Sequence, residues 1–206
     1  VPAASVRPVA LSVEEAAMKL ILASKSPRRI ELLKQIHPDF SVEPAKGDEI
    51  VPEGATPAET VMALAKAKAE EIAAQHPQDL VIGSDTIVAV DDQILGKPKS
   101  HDHCVEMIRS LSGRRHQVYT GVALALEGKT ECLYDVTEVE FYPLSEEEIH
   151  WYASLEEPYD KAGGYGIQTP FGMKAITGIV GDYYNVMGLP VCRLCQVLRE
   201  KFGVNI

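Results

Sequence analysis

Asp85 interrupts an apolar run, Val81-Ile82-Gly83-Ser84-Asp85-Thr86-Ile87-Val88. Burying a carboxylate is costly unless it is paired, metal-bound or protonated. Metal ligation or activation of a water would justify the acid; a structural salt bridge is the alternative. Upstream, Ser24-Lys25-Ser26-Pro27-Arg28-Arg29 falls where a strand gives way to a helix. The free amides and dipole of a helix N-terminus favour an anion. Two arginines in the first turn add bidentate phosphate donors, and an anionic partner would offset their unfavourable place against the dipole. The plain alternative is a solvated basic turn. The spacing matches neither the Walker loop nor the dinucleotide glycine loop.

Other candidates are weaker singly. Lys97 lies between Gly96 and Pro98, so its backbone is constrained, and a surface turn is the alternative. Lys68 shares a helical face with Val61, Leu64, Ala65 and Ile72, whereas Lys66 points away. It either snorkels or reaches a buried phosphate or carboxylate. In Asp160-Lys161-Ala162-Gly163-Gly164-Tyr165-Gly166-Ile167-Gln168 the glycines permit close backbone approach, and Gln168 offers a donor and an acceptor suited to a base edge. A tight turn would use the same glycines. Glu49, after Gly47-Asp48, is a loop acid that could join Asp85 at a metal. His116 and the His101/His103 pair read as surface or structural. Cys192 and Cys195 form a CxxC without a second pair, which reads as buried structure on a helix.

The elements that would carry these residues read as mixed α/β. Lys19 to Ala23 is a buried strand. Ser26 is placed as an N-cap, with Pro27 at the first helical position and Ile30, Leu33 and Ile36 on one face. A short strand is expected around Phe40 to Glu43. Thr56-Pro57-Ala58-Glu59 is a capping box opening a helix to about Gln75. Leu80 to Val90 is a strand, and Ser100 caps a helix to about Leu111. Gln117 to Leu126 and Glu131 to Tyr142 form a hairpin around Gly128. Ser145 and Glu148 open a helix to about Leu155. Residues 159–188 read as loops and short strands, and Leu189-Pro190 opens a final helix. One continuous sheet with flanking helices is the economical architecture.

The chain has 206 residues, 46% hydrophobic and 24% charged, which are globular values and exclude wholesale disorder. Net charge is −10, which disfavours a nucleic acid duplex as partner but leaves room for a small anion held by local cations. No run approaches the roughly 18 to 20 apolar residues of a membrane helix. Four cysteines are too few for a disulfide scaffold, so a reduced compartment is the default. Residues 1–17 lack the basic and apolar parts of a signal peptide and read as a non-native leader, with residues 18–206 forming a single domain.

Taken in order, SKSPRR, GDE, LAKAKA, GSDTIV, LGKP, SGRRHQVYTGV, DKAGGYGIQ and GDYYNVMGLP resemble the Maf family of nucleoside triphosphate pyrophosphatases. The resemblance runs from Lys19 to about Phe202. It implies hydrolysis between the α- and β-phosphates, yielding a nucleoside monophosphate and pyrophosphate. It implies a divalent cation, Mg²⁺ or Mn²⁺, held by Glu49 and Asp85. It also implies an elongated fold with a mixed central sheet flanked by helices and a cleft between two lobes, similar to the inosine triphosphate pyrophosphatases. A cytoplasmic homodimer is usual in the family. Asp85 matches the proton acceptor, Glu49 and Lys97 further catalytic residues, and Ser24, Arg28, Arg29, Lys68, Lys97 and Lys161 positions around the substrate. Arg28, Thr86 and Gln168 match the branch that cleaves dTTP and UTP. Gly163-Gly164 departs from the Gly-Ala of many members, and Thr169 to Val180 matches loosely. Two alternatives are a pyrophosphatase for modified pyrimidine nucleotides and a nucleotide-binding regulator of septum formation with little turnover.

Overall fold

The computed structural model describes residues 18–206, so the reading of residues 1–17 as a leader lies outside the described residues. The strands are β1 (Leu20–Leu22), β2 (Ser41–Val42), β3 (Leu80–Val90), β4 (Gln93–Leu95), β5 (Arg115–Leu126), β6 (Lys129–Phe141) and β7 (Ile176–Val180). They form one mixed sheet in the order β2-β1-β3-β5-β6-β7, with β4 also on β3. The β2, β1 and β3 strands run parallel, and the remaining pairs are antiparallel. The helices are α1 (Pro27–Ile36), α2 (Pro57–Ala73), α3 (His101–Leu111), α4 (Glu146–Ala153), α5 (Pro170–Ala175), α6 (Tyr183–Met187) and α7 (Val191–Phe202).

The local chemistry explains the helix starts. Thr56 and Ser145 each complete a capping box, with Glu59 and Glu148, and Ser100 accepts from the His103 amide. Ser26 stands at the cap position of α1, but its side chain makes no capping bond. Two expectations needed revision. Residues 159–188 contain α5 and α6 besides β7, helices too short for apolar periodicity to show. Cys192 is exposed and Cys195 half-buried, because α7 turns Leu194 and Leu198 inward instead.

Two main apolar clusters divide the molecule into lobes. One gathers β1, the first half of β3, α1 and α7 around Leu22, Leu33, Ile82, Leu124, Leu194 and Leu198. The other gathers the far half of β3 with α3, α4 and α5 around Val88, Ile108, Phe141, Tyr152 and Phe171. A third, alanine-rich cluster seats α2 on the sheet. That seat depends on two glycines. A Cβ at Gly83 would lie 2.2 Å from the Ala65 carbonyl oxygen, and one at Gly121 would lie 2.3 Å from that of Val61. With a side chain at either position, α2 could not lie this close to β3 and β5.

The gap between the lobes follows from strand pairing. One edge of β3 pairs with β1 only over Leu80–Ile82 and with β4 only over Val88–Val90. Between them, residues 83–87 have no strand on that edge. Side chains from both faces of β3 can therefore reach one opening. No helix among the described residues is long and apolar enough to cross a membrane.

Candidate active site

The opening is a cleft of about 1080 Å³. All ten predicted site residues line it: Ser24, Arg28, Arg29, Glu49, Lys68, Asp85, Thr86, Lys97, Lys161 and Gln168. Its walls carry Lys25, Arg28, Arg29, Lys46, Lys68, Lys97, Lys99 and Lys161 against only Glu49, Asp85 and Asp160. A chain of net charge −10 thus keeps a locally cationic cleft.

Asp85 projects from β3 toward α2, on the face of its register partner Gly121. The close seat of α2 brings Lys68 over it. Lys68 Nζ lies 2.5 Å from Asp85 Oδ1 and 2.7 Å from Glu49 Oε1. The lysine is thus no idle snorkel, and the acid in the apolar strand is paired as burial requires. The Lys68 hydrogen bond holds the Glu49 carboxyl below the usual carboxylate range. Partial burial opposes that shift, and the charges of Lys68, Lys97 and Arg29 reinforce it.

Two carboxylates converging on one cation also offer the hard oxygen donors that Mg²⁺ or Mn²⁺ requires. No group of three or more His, Cys, Asp or Glu among the described residues could hold a metal alone. Mg²⁺ commonly takes one or two protein carboxylates and completes its shell with water and substrate phosphates. Glu49 and Asp85 fit that pattern, with Lys68 as the cation between them in this structure.

Arg29 lines the cleft, with most of its donors engaged within the protein. Its Nε donates to the Gly188 carbonyl at 2.7 Å, Nη2 to Thr86 Oγ1 at 2.8 Å and Nη1 to Ser24 Oγ at 3.4 Å. Burial lowers its pKa while Asp85 opposes that shift, and it remains a cation. Most of its donors therefore tie protein segments together, and its charge faces the cleft. Arg28 reaches across the mouth to Asp160 at 3.2 Å. Lys161 is buried, donating to the Glu157 carbonyl and to Asp160 Oδ1, both at 2.7 Å. Its ammonium braces the wall and sets the acid that faces Arg28. Lys97 is exposed at the rim.

The glycine loop forms the wall opposite α1. Gly163 and Gly164 both adopt positive φ, 70° and 75°, which accounts for glycine at the second position too. Gln168 Oε1 is buried without a hydrogen-bond partner. Gln168 also lines the cleft, and turning its amide toward a ligand would give that oxygen a partner.

Several contributors escaped sequence reading. Thr120, Asn185 and Gly188 hold Thr86 and Arg29 from behind, and Asp160 holds Arg28. Thr120 sits between inward valines of a strand, and Asn185 in a five-residue helix, so neither has a distinctive spacing. His116, read as surface or structural, is fully buried with Nε2 2.6 Å from Tyr165 Oη, behind the glycine loop.

The Maf-like protein family matches residues 19–201. A dTTP/UTP pyrophosphatase of Agathobacter rectalis is 51% identical over 206 residues, covering 91% of this chain and 99% of that protein. A dTTP/UTP pyrophosphatase of Bacillus cytotoxicus is 48% identical over 182 residues, covering 88% and 95%. Among solved structures, a nucleoside-triphosphatase, dITP/XTP pyrophosphatase, of Mycobacterium abscessus overlaps with a TM-score of 0.43 at 16% identity, covering 62% of this chain and 76% of that one. By a match spanning nearly all the described residues, this chain belongs to the Maf-like protein family.

Proposed function

We propose that the protein hydrolyses dTTP and UTP between the α- and β-phosphates, releasing the nucleoside monophosphate and pyrophosphate. The observation that carries this reading is the Asp85–Lys68–Glu49 cluster in a cationic cleft that Gln168 also lines. Relatives at 51% and 48% identity bear the name dTTP/UTP pyrophosphatase and are covered almost end to end.

In this reading, Asp85 orients the attacking water and takes its proton. Lys68 holds Asp85 in place and offers its ammonium to a phosphate oxygen. Arg28 and Lys97 stabilise charge on the triphosphate and on departing pyrophosphate. The positive charge of Arg29 contributes from behind, because its hydrogens are mostly engaged. Glu49 and Asp85 would hold the divalent cation, which supplies Lewis-acid polarisation of the phosphates when bound. Gln168 meets the base: uracil and thymine place an N3–H donor between two carbonyls, matching an amide that both donates and accepts.

The test is product analysis with UTP, dTTP, CTP, GTP and 7-methyl-GTP, each with Mg²⁺ or Mn²⁺. Monophosphate and pyrophosphate from UTP and dTTP are expected. Cleavage of 7-methyl-GTP alone would overturn the base assignment but keep the bond cleaved. No turnover by folded protein would turn the reading to a nucleotide-binding regulator. The family resemblance also supports a homodimer, which light scattering on the purified chain measures directly.

A further inference from the structure

Thr86 and Thr120 are register partners across β3 and β5. Thr120 is fully buried and touches no ligand space. Its hydroxyl lies 2.9 Å from Thr86 Oγ1 and 2.9 Å from the Asn185 carbonyl oxygen. A carbonyl only accepts, so the single Thr120 hydrogen goes to Asn185. The contact between the threonines must then use the Thr86 hydrogen. Arg29 Nη2 meanwhile donates to the same Thr86 oxygen at 2.8 Å. With its hydrogen and one lone pair committed, Thr86 has only a second lone pair to offer the cleft.

We infer that Thr120 is a positioning residue for substrate selection: by accepting the Thr86 hydrogen it makes Thr86 an acceptor-only group toward the nucleotide base. This rests on the pyrimidine triphosphate reading above. The consequence is chemical. Uracil and thymine carry a hydrogen at N3 and satisfy an acceptor there. Cytosine presents a bare acceptor at N3, and two facing acceptors leave both unpaired. Gln168 lines the same cleft. Sites that leave buried polar groups unpaired discriminate far more strongly than sites that differ by a methyl group. The arrangement therefore separates uracil and thymine from cytosine while tolerating the methyl group between the first two.

The test is the ratio of kcat/KM for UTP over CTP. The wild-type protein is expected to favour UTP by at least about tenfold, the worth of one unmatched buried hydrogen bond. Thr120→Val keeps nearly the same shape but frees the Thr86 hydrogen to donate to cytosine N3. The ratio is expected to fall about tenfold, chiefly through gained CTP turnover. Thr120→Ser restores the acceptor and should restore the ratio. In a Thr86→Val background, Thr120→Val should leave the ratio unchanged. A structural role would instead lower both substrates together. An unchanged ratio in folded Thr120→Val overturns the proposal, as does the same fall in the Thr86→Val background. Equal use of CTP and UTP by the wild type overturns it without any variant, even if the valine variant fails to fold. Those outcomes leave the pyrophosphatase reading intact, whereas no turnover of any nucleotide removes both.

Discussion

Two of the three cleft acids depend on one lysine. Lys68 pairs with both Asp85 and Glu49, and its own position comes from helix α2. Replacing Asp85 by Asn keeps the shape and a hydrogen-bond acceptor for Lys68 but removes the proton acceptor. Turnover of UTP should fall on the order of 10²–10³-fold with thermal stability little changed. A folded Asp85→Asn protein retaining near-wild-type kcat would refute Asp85 as the base. Asp85 and Lys68 were legible in the sequence because each violates its local apolar pattern. Arg29 was legible as a cation but not as a clamp. Its acceptor Gly188 is 159 positions away, and no local spacing encodes such a contact.

At the scale of elements, the seat of α2 sets the chemistry. Gly83 and Gly121 let the helix backbone touch the sheet, and Ala65 and Ala69 continue the close fit. Gly121→Ala would push its Cβ into the Val61 carbonyl. Such overpacking costs roughly 1–3 kcal/mol, and any shift of α2 moves Lys68 from Asp85. Urea denaturation should register the loss, and kcat should fall at least about tenfold, because small misplacements are amplified in catalysis. Unchanged kcat in Gly121→Ala would mean that the helix seat does not tune the site. The longer elements were readable because capping boxes and strand patterns announce them. The α5 and α6 helices were not, being too short for an apolar period to show. The gap along the β3 edge was equally hidden, since it arises from where two other strands stop.

For the whole molecule, charge and burial set the working conditions. A cationic cleft on an anionic chain attracts triphosphates over distances that salt screens. The kcat/KM for UTP should fall as ionic strength rises, with kcat affected less. Insensitivity to salt at fixed divalent cation would argue against electrostatic capture. Stability carries a pH signature through His116, whose pKa burial pushes down from 6.5 to about 4. The unfolded chain binds that proton first, so the contribution is complete above pH 6.5 and is lost as pH falls toward 4. The loss amounts to about 3 kcal/mol by linkage. Urea midpoints between pH 7 and 4 measure it, and His116→Gln should flatten the His116 part of that slope.

The Arg29–Gly188 bond has a consequence in time. The first phosphate motif is synthesised early, while the carbonyl that orients Arg29 follows 159 residues later. Gly188 also receives Ser84, so strand and helix share one late anchor. A chain that ends before Gly188 therefore holds Arg29 without the carbonyl that orients it. Alignment of Arg29 therefore waits on the long-range contact at Gly188, so tertiary folding, not the local motif, completes that side of the cleft.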